Sequence, residues 1–247
     1  MANYDPATYG DSFADVYDSW YGDITNTDET VAGISRLANG HDVLELGVGT
    51  GRLALPLAGT GLRVVGIDAS APMLAKLAAK PGAHRVETIC ADMAHLPLTE
   101  RQFGVVFAAF NTFFNLTSSH DQQRCLEAVA QLVQPGGVLA IEGFVPPTEG
   151  LSDGGISVRD ITPTTAVLSV SMVEHETQVI RGHHIEISAA GNRMRPWMLH
   201  YRTPAQLDES AKAAGFTLRE RWSDWTGTPF GEDADTHISI YQLDPAS

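Results

Sequence analysis

The sequence predicts an α/β fold: a doubly wound parallel sheet with an antiparallel β insertion after its fifth strand and a helical lid ahead of its first. Short runs rich in Val, Ile, Leu and Phe recur at 42–46, 63–67, 85–90, 103–109 and 138–143, the signature of strands. Helical stretches at 51–58, 71–80 and 119–133 fall between them. Strand and helix alternating at this spacing imply parallel strands with helices on both faces. Beyond Phe144 the pattern changes to strand-like runs, TAVLSVSMVEHE and TQVIRGHHIEIS, which predict antiparallel pairing.

Taken in order, residues 4–38 are polar and aromatic-rich, and Phe13, Val16, Tyr17 and Trp20 have the spacing of one helical face. A second helix is expected over 27–38. The helix over 119–133 ends in Gln134-Pro135-Gly136-Gly137, a stop followed by a turn. Pro146-Pro147 and GLSDGG mark a loop before three or four strands over 156–200, with Gly191-Asn192 read as a hairpin turn. TPAQLDESAKAAG (203–215) is helical, and FTLRERWS and THISIYQL read as closing strands. There is no repeat or flexible linker. Residues 1–247 are therefore expected to form one domain: a lid (1–38), a core (40–145), the insertion (146–202) and a C-terminal completion of the sheet (203–247).

A chain of 247 residues buries a large core. Its net charge is −14, with 30 acidic against 16 basic residues; such a surface repels phosphate backbones, so nucleic acid is not expected as a partner. The two cysteines, Cys90 and Cys125, suggest no disulfide framework. The N-terminus lacks a secretory pattern, and no apolar run approaches 18 residues. A soluble, cytoplasmic protein with no membrane partner is expected, and the sequon at Asn115-Leu116-Thr117 is then a chance match.

The chemistry concentrates in VLELGVGTGR (43–52). Strand, glycine turn and helix in succession bring backbone N–H groups close to a ligand at the carboxyl edge of a sheet. A dinucleotide fingerprint needs a small residue at the position held by Arg52, and here an acid, Glu45, precedes the first glycine. The second strand ends at Asp68-Ala69, where a carboxylate can accept both ribose hydroxyls. The third ends Ala91-Asp92-Met93. Asp92 there can accept from an adenine amine, and Met73 and Met93 can sandwich the ring. The fourth ends at Phe110-Asn111.

E-x-G-x-G-x-G with its upstream acid, followed in order by Asp68, Ala91-Asp92-Met93, Phe110-Asn111 and Pro135-Gly136-Gly137, resembles the class I S-adenosylmethionine-dependent methyltransferases over residues 40–143. The resemblance implies a Rossmann-like, seven-stranded sheet, S-adenosylmethionine as cofactor and S-adenosylhomocysteine as product. Glu45, Gly47, Gly49, Thr50, Gly51 and Arg52 would surround the methionyl moiety and Asp68 the ribose. Asp92 and Met93 would meet the adenine, and Phe110 and Asn111 would lie beside the sulfonium. The aromatic N-terminus with Val16-Tyr17-Asp18, and the β insertion, resemble the natural-product and sugar-type enzymes, in which an N-terminal segment folds over the cofactor. Tyr9, Tyr17 and Tyr21 are the tyrosines that would bond its carboxylate.

The acceptor is expected to be a small organic molecule. Sugar-amine members carry a histidine where this chain has Asn115, within FNTFFNL. An amide cannot take a proton, so O-methylation is placed slightly ahead of N- and C-methylation. Candidate catalytic groups are His184, His200, Glu142 and Asn115. His183 and His184 point to opposite faces of a strand, so only one can serve. Glu174-His175-Glu176, read as successive strand residues, cannot share one ion, and no metal is expected. Two other classes compete: a nicotinamide-dependent oxidoreductase and a non-catalytic cofactor-binding protein. Exposed edges of the insertion suggest a homodimer.

Overall fold

The computed structural model describes residues 4–22, 26–99, 101–147 and 150–243; the remaining parts of the expected lid (1–3, 23–25) and C-terminal completion (244–247) lie outside the described residues. A seven-stranded sheet is built from β1 (Val43–Leu46), β2 (Val64–Asp68), β3 (Val86–Cys90), β4 (Phe103–Ala108), β5 (Val133–Phe144), β10 (Phe216–Trp222) and β11 (Thr236–Leu243). Its order is β10-β11-β5-β4-β1-β2-β3. The strands of the β3-to-β5 portion run parallel, and β11 enters antiparallel between β5 and β10. Every residue of β1 and β4 is buried, as expected of central strands covered on both faces. One apolar cluster joins Leu44, Val106, Leu126 and Phe216 on one face. Another joins Ile34, Leu57, Phe107 and Trp222 on the other. β1 has β2 on one side and β4 on the other, the point at which the strand order reverses, so their carboxyl ends border the crevice in which open α/β sheets take ligands.

Helices α3 (Thr27–Ala38), α4 (Ala54–Gly59), α5 (Ala71–Ala78), α6 (Ser119–Ala130) and α7 (Pro204–Ala213) cover the sheet. Local chemistry sets their starts. Asn26, Ser70, Ser118 and Thr203 each accept an N–H from the first turn, and Thr203 with Gln206 closes a capping box.

Three expectations need correction. The N-terminal aromatic stretch forms two short helices, α1 (Thr8–Phe13) and α2 (Tyr17–Tyr21), rather than one; the break at 14–16 turns Asp15 outward onto Arg193 and Arg195. Pro135-Gly136-Gly137 lies within β5 as a bulge, between the pairs Phe103↔Val133 and Val105↔Val138. A proline has no N–H for the ladder, so the strand bends around it. Gly191 is not the hairpin turn: it pairs with Ser188, leaving Ala189-Ala190 as the two-residue turn.

The insertion is a four-stranded antiparallel sheet, β6 (Gly154–Ile161), β7 (Thr165–Glu174), β8 (Val179–Ser188) and β9 (Gly191–His200). His175 and Glu176 sit in the turn after β7 and not on a strand. The lid lies between this sheet and the core and is tied to both. Toward the core, the Ser70 hydroxyl donates to Asp11 at 2.7 Å. Asp18 accepts from Thr50 Oγ1 at 2.5 Å and Lys80 Nζ at 2.8 Å. Toward the insertion, Arg195, only 1% exposed, donates to Asp15, Glu186 and the carbonyl of Ser12, while Arg159 covers Trp20 and Tyr21.

His237 on β11 is fully buried opposite Gly143. Burial, aided by Arg221, holds its imidazole down to about 4. The unfolded chain takes up this proton near pH 6.5 and the folded one only near 4, so the stability it contributes is present above 6.5 and lost as pH falls toward 4. The loss is about 2 kcal/mol at pH 5. Buried Glu45 and Asp68, whose carboxyls are raised, shift stability the other way. The difference between wild type and His237→Gln isolates the histidine. Between pH 7 and pH 5 the wild type should lose about 4–8 °C more in Tm than the variant. Parallel losses in both proteins would refute the assignment.

Candidate active site

The crevice at the carboxyl ends of β1–β4 opens into a cleft of about 250 Å³. From the N-terminal segment it is lined by Tyr4, Tyr9 and Tyr17, and from the β1 turn by Gly47 and Gly49. The β2 and β3 ends contribute Asp68, Ala69, Ala91, Asp92 and Met93, with Met73 beneath. The 3₁₀ turn Thr112–Asn115 and the start of α6 close the far side through Asn115, Thr117 and Asp121.

The glycine turn is shaped by close approach. Gly47 has φ +67°, and a Cβ there would collide with the side chain of Thr112, so only glycine keeps the turn against the β4 end. Asp68 locks the same turn from β2. Its Oδ2 accepts Gly49 N–H and its Oδ1 accepts Ser70 N–H, both at 2.8 Å. Burial raises its carboxyl. Glu45, 5% exposed, carries an Oε2 with no partner, and burial pushes it well above the usual carboxylate range despite nearby Arg52. Burial also pushes the Tyr17 phenol up to about 12, with Arg52, Glu45 and Asp68 close enough to act on it. Thr50 is engaged by Asp18, and Arg52 reaches Thr27. Gly51 packs against Leu77 and Leu55. Asp92 accepts Ala94 N–H and pairs with His95 at 3.0 Å.

A second arrangement forms where the lid meets the β4 end. Phe110 and Asn111 take left-handed φ of 48° and 62°, an unusual and costly conformation for an aromatic side chain. Glu142 holds it in place: Oε2 accepts Phe110 N–H at 2.7 Å and the Trp225 indole N–H at 3.1 Å. Its carbonyl accepts Asn111 N–H, and Asn111 Oδ1 accepts Phe144 N–H. The Tyr21 ring meets Phe110 edge-on, and its hydroxyl lies 3.3 Å from His184 Nε2. His184 is packed among Phe13, Trp20 and Trp197. Burial, aided by Arg159 and Arg195, holds it down to about 4.

The structure thus gathers Tyr9, Tyr17, Gly47, Gly49, Asp68, Ala69, Met73, Ala91, Asp92, Met93 and Asn115 around one cleft. Glu45, Thr50, Gly51 and Arg52 support its turn, while Tyr21, Phe110, Asn111, Glu142 and His184 pack together in the layer between lid and sheet. His200 is elsewhere. Its ring lies against the backbone of Ser118 and Thr177 with Nδ1 buried and unpartnered, and its carbonyl accepts from Gln122. Sequence reasoning missed Tyr4, Thr112, Thr117 and Asp121 as lining residues, and missed Asp11 and Asp18 as lid ties. Asp18 was read only as part of Val16-Tyr17-Asp18, and the tie it makes is not legible there because its partners, Thr50 and Lys80, are distant in the chain.

A family model described as a methyltransferase domain matches residues 43–137. The solved CcbJ methyltransferase from Streptomyces caelestis is 37% identical, with 98% of this chain and 100% of that one covered at a TM-score of 0.91. The cypemycin N-terminal methyltransferase of a Streptomyces species is 32% identical over 160 residues, 64% of each chain. A demethylmenaquinone methyltransferase from Corynebacterium urealyticum is 37% identical over 112 residues, 45% of each. The chain spans just under two thirds of the first of these curated relatives and under half of the second.

Proposed function

The chain belongs to the S-adenosylmethionine-dependent methyltransferase family, and we propose that it methylates a neutral amine of a small organic molecule. Membership sets aside the nicotinamide and non-catalytic readings. The residues of the cleft fit the cofactor, and the buried, unpartnered Oε2 of Glu45 supports this most directly. A buried carboxylate oxygen without a partner is costly, and a ligand ammonium is the partner it lacks. Asp68 keeps lone pairs free for two ribose hydroxyls after accepting its two N–H groups. Asp92 stands ready for an exocyclic amine, with Met73 and Met93 as soft walls. Tyr17, protonated at neutral pH, can donate to a carboxylate. When bound, S-adenosylmethionine supplies an electrophilic methyl group. The lid ties at Asp11 and Asp18 would then keep water from it.

The choice of nucleophile rests on what the candidate bases are doing. Glu142 Oε2 is occupied by two N–H donors. His200 is held away against backbone, and Asn115 cannot take a proton. That leaves His184, buried among the lid's rings, and a base held near 4 is too weak to ionise an alcohol. An amine brings its own lone pair and needs only to be positioned. This reverses the slight preference for oxygen that Asn115 alone suggested. The reading takes the chain as one domain working in the cytoplasm, in keeping with two free cysteines.

Release of S-adenosylhomocysteine from matched pairs of amine and alcohol acceptors tests it. Amines should turn over, with kcat/KM rising until pH reaches the acceptor's own pKa. Transfer confined to the alcohols would reject the proposal.

A further inference from the structure

We propose that the acceptor is a small diamine: one amine is methylated while the second, as an ammonium, is held on the far wall of the cleft by Asp121 and Asn115. The inference rests on the amine reading above and adds what the rest of the molecule must carry. Asn115 Nδ2 donates to the Thr112 carbonyl at 3.3 Å, which identifies the other end of its amide as Oδ1. That oxygen is buried and has no hydrogen-bond partner among the described residues. An enclosed carbonyl oxygen without a donor is costly. Asn115 lines the cleft, so a ligand N–H is the donor within its reach.

Asp121 lines the same wall. Its Oδ2 accepts from the Ser118 hydroxyl at 2.6 Å, and Ser118 Oγ accepts Asp121 N–H at 3.1 Å, which fixes the carboxylate in the first turn of α6. No donor among the described residues reaches its Oδ1. The wall stands at the methyl-donor end of the cleft. The Thr112 methyl lies where a Cβ on Gly47 would go, so the turn Thr112–Asn115 packs on the glycine turn that takes the methionyl moiety. Charge points the same way. Four acids line the cleft, Asp5, Asp68, Asp92 and Asp121, and among the described lining residues there is no Lys, Arg or His. Asp5 is engaged by Ala7 N–H and the Thr8 hydroxyl, and Asp68 and Asp92 serve the ribose and the adenine. Asp121 is the acid left over. A cleft lined by one sign of charge concentrates ligands of the other, so this one admits a cation and turns away an anion.

A second amine also supplies what the chain lacks. The candidate bases are engaged or too weak to take a proton from the acceptor, so the attacking nitrogen has to arrive neutral. Two like charges about 4 Å apart disfavour the doubly protonated diamine, and in water this raises the neutral fraction of one nitrogen about fivefold. A carboxylate favours the proton on the nitrogen beside it. Asp121 therefore keeps one end charged and leaves the other as the free base. The lone pair of that nitrogen forms the new C–N bond while the methyl–sulfur bond breaks with its electron pair on sulfur. The nitrogen becomes an alkylammonium, and its extra proton passes to water on release. A monoamine gains nothing from Asp121. An amino alcohol can satisfy Asn115 but brings Asp121 no charge.

The test is isothermal titration of three probes into the full chain saturated with S-adenosylhomocysteine at neutral pH. They are vicinal trans-diaminocyclohexane, the matching trans-aminocyclohexanol and cyclohexylamine. The diamine should bind about tenfold tighter than the monoamine, with the amino alcohol between them, and should be methylated with the highest kcat/KM. Asp121→Asn keeps an amide oxygen for the Ser118 hydroxyl and loses the charge. It should weaken the diamine about tenfold or more and erase its lead over the monoamine. Asn115→Ala should weaken the diamine and the amino alcohol together. Retained binding of S-adenosylhomocysteine reports that each variant is folded, and should one not fold, the other and the wild-type ranking decide. Equal affinity for diamine and monoamine overturns the proposal. So does a diamine that fails to bind, or a preference for it that survives both substitutions. In each of those cases methylation of cyclohexylamine would leave the amine reading standing, whereas transfer confined to alcohols removes that reading itself.

Discussion

Asp68→Ala should weaken binding of S-adenosylhomocysteine by about 100-fold, measured by isothermal titration. The carboxylate is expected to accept two ribose hydroxyls, and hydrogen bonds to a charged acceptor are worth about 1.5–3 kcal/mol each. Losing both costs about 3 kcal/mol or more, which sets the scale. A second loss adds to it. Asp68 also fixes Gly49 N–H and Ser70 N–H, so alanine frees the turn that must lie against the ligand. Ser70 in turn carries the Asp11 tie of the lid, and the lid should open more readily. Asp68→Asn separates these effects. Its single amide oxygen can serve one backbone N–H while its NH₂ group confronts the other, so its affinity should fall between wild type and alanine. A change under threefold in the alanine variant would remove Asp68 from the binding site.

The core was legible because its signals are local. Apolar runs of strand length, glycine spacing and acids at strand ends occupy a few consecutive residues each, and β1, β2, β3 and β4 begin and end within a residue or two of expectation. The insertion was legible from its change of period. Elements were misread where a local signal competes with a long-range partner. Pro135-Gly136-Gly137 has the composition of a turn, yet pairing with β4 on both sides of it, at Val133 and Val138, carries β5 through it as a bulge. The aromatic stretch of the lid reads as one helix by its spacing. Asp15, in the middle, bonds Arg195 180 positions away, and that partner is invisible to a helical wheel. Glu142 illustrates the same limit in the site. Its place at the end of a central strand suggests a base, while the two donors that occupy it, Phe110 N–H and the Trp225 indole, come from segments 32 and 83 residues away.

Glu142→Ala should therefore act through position. It strips the acceptor from two N–H groups, one of them the fully enclosed indole of Trp225, 5% exposed. Each buried donor left without a partner costs about 1–3 kcal/mol, so stability should fall by about 2–4 kcal/mol in denaturant titration. The left-handed pair Phe110-Asn111 persists only because its surroundings hold it. Once released, it should relax and draw the Phe110 ring from Tyr21. The expected kinetic result is a large fall in kcat, about 100-fold, because misplacing the acceptor by about 1 Å is enough for that. The KM for S-adenosylmethionine should change little, since Asp68 and Glu45 are untouched. Glu142→Gln distinguishes position from proton transfer. An amide oxygen can still accept from Phe110 N–H, so a positioning residue leaves partial activity with the wild-type pH profile. A general base would leave almost none, and would take one limb of that profile with it. Loss of a limb in Glu142→Gln would return Glu142 to the chemistry and, with it, reopen methylation at oxygen.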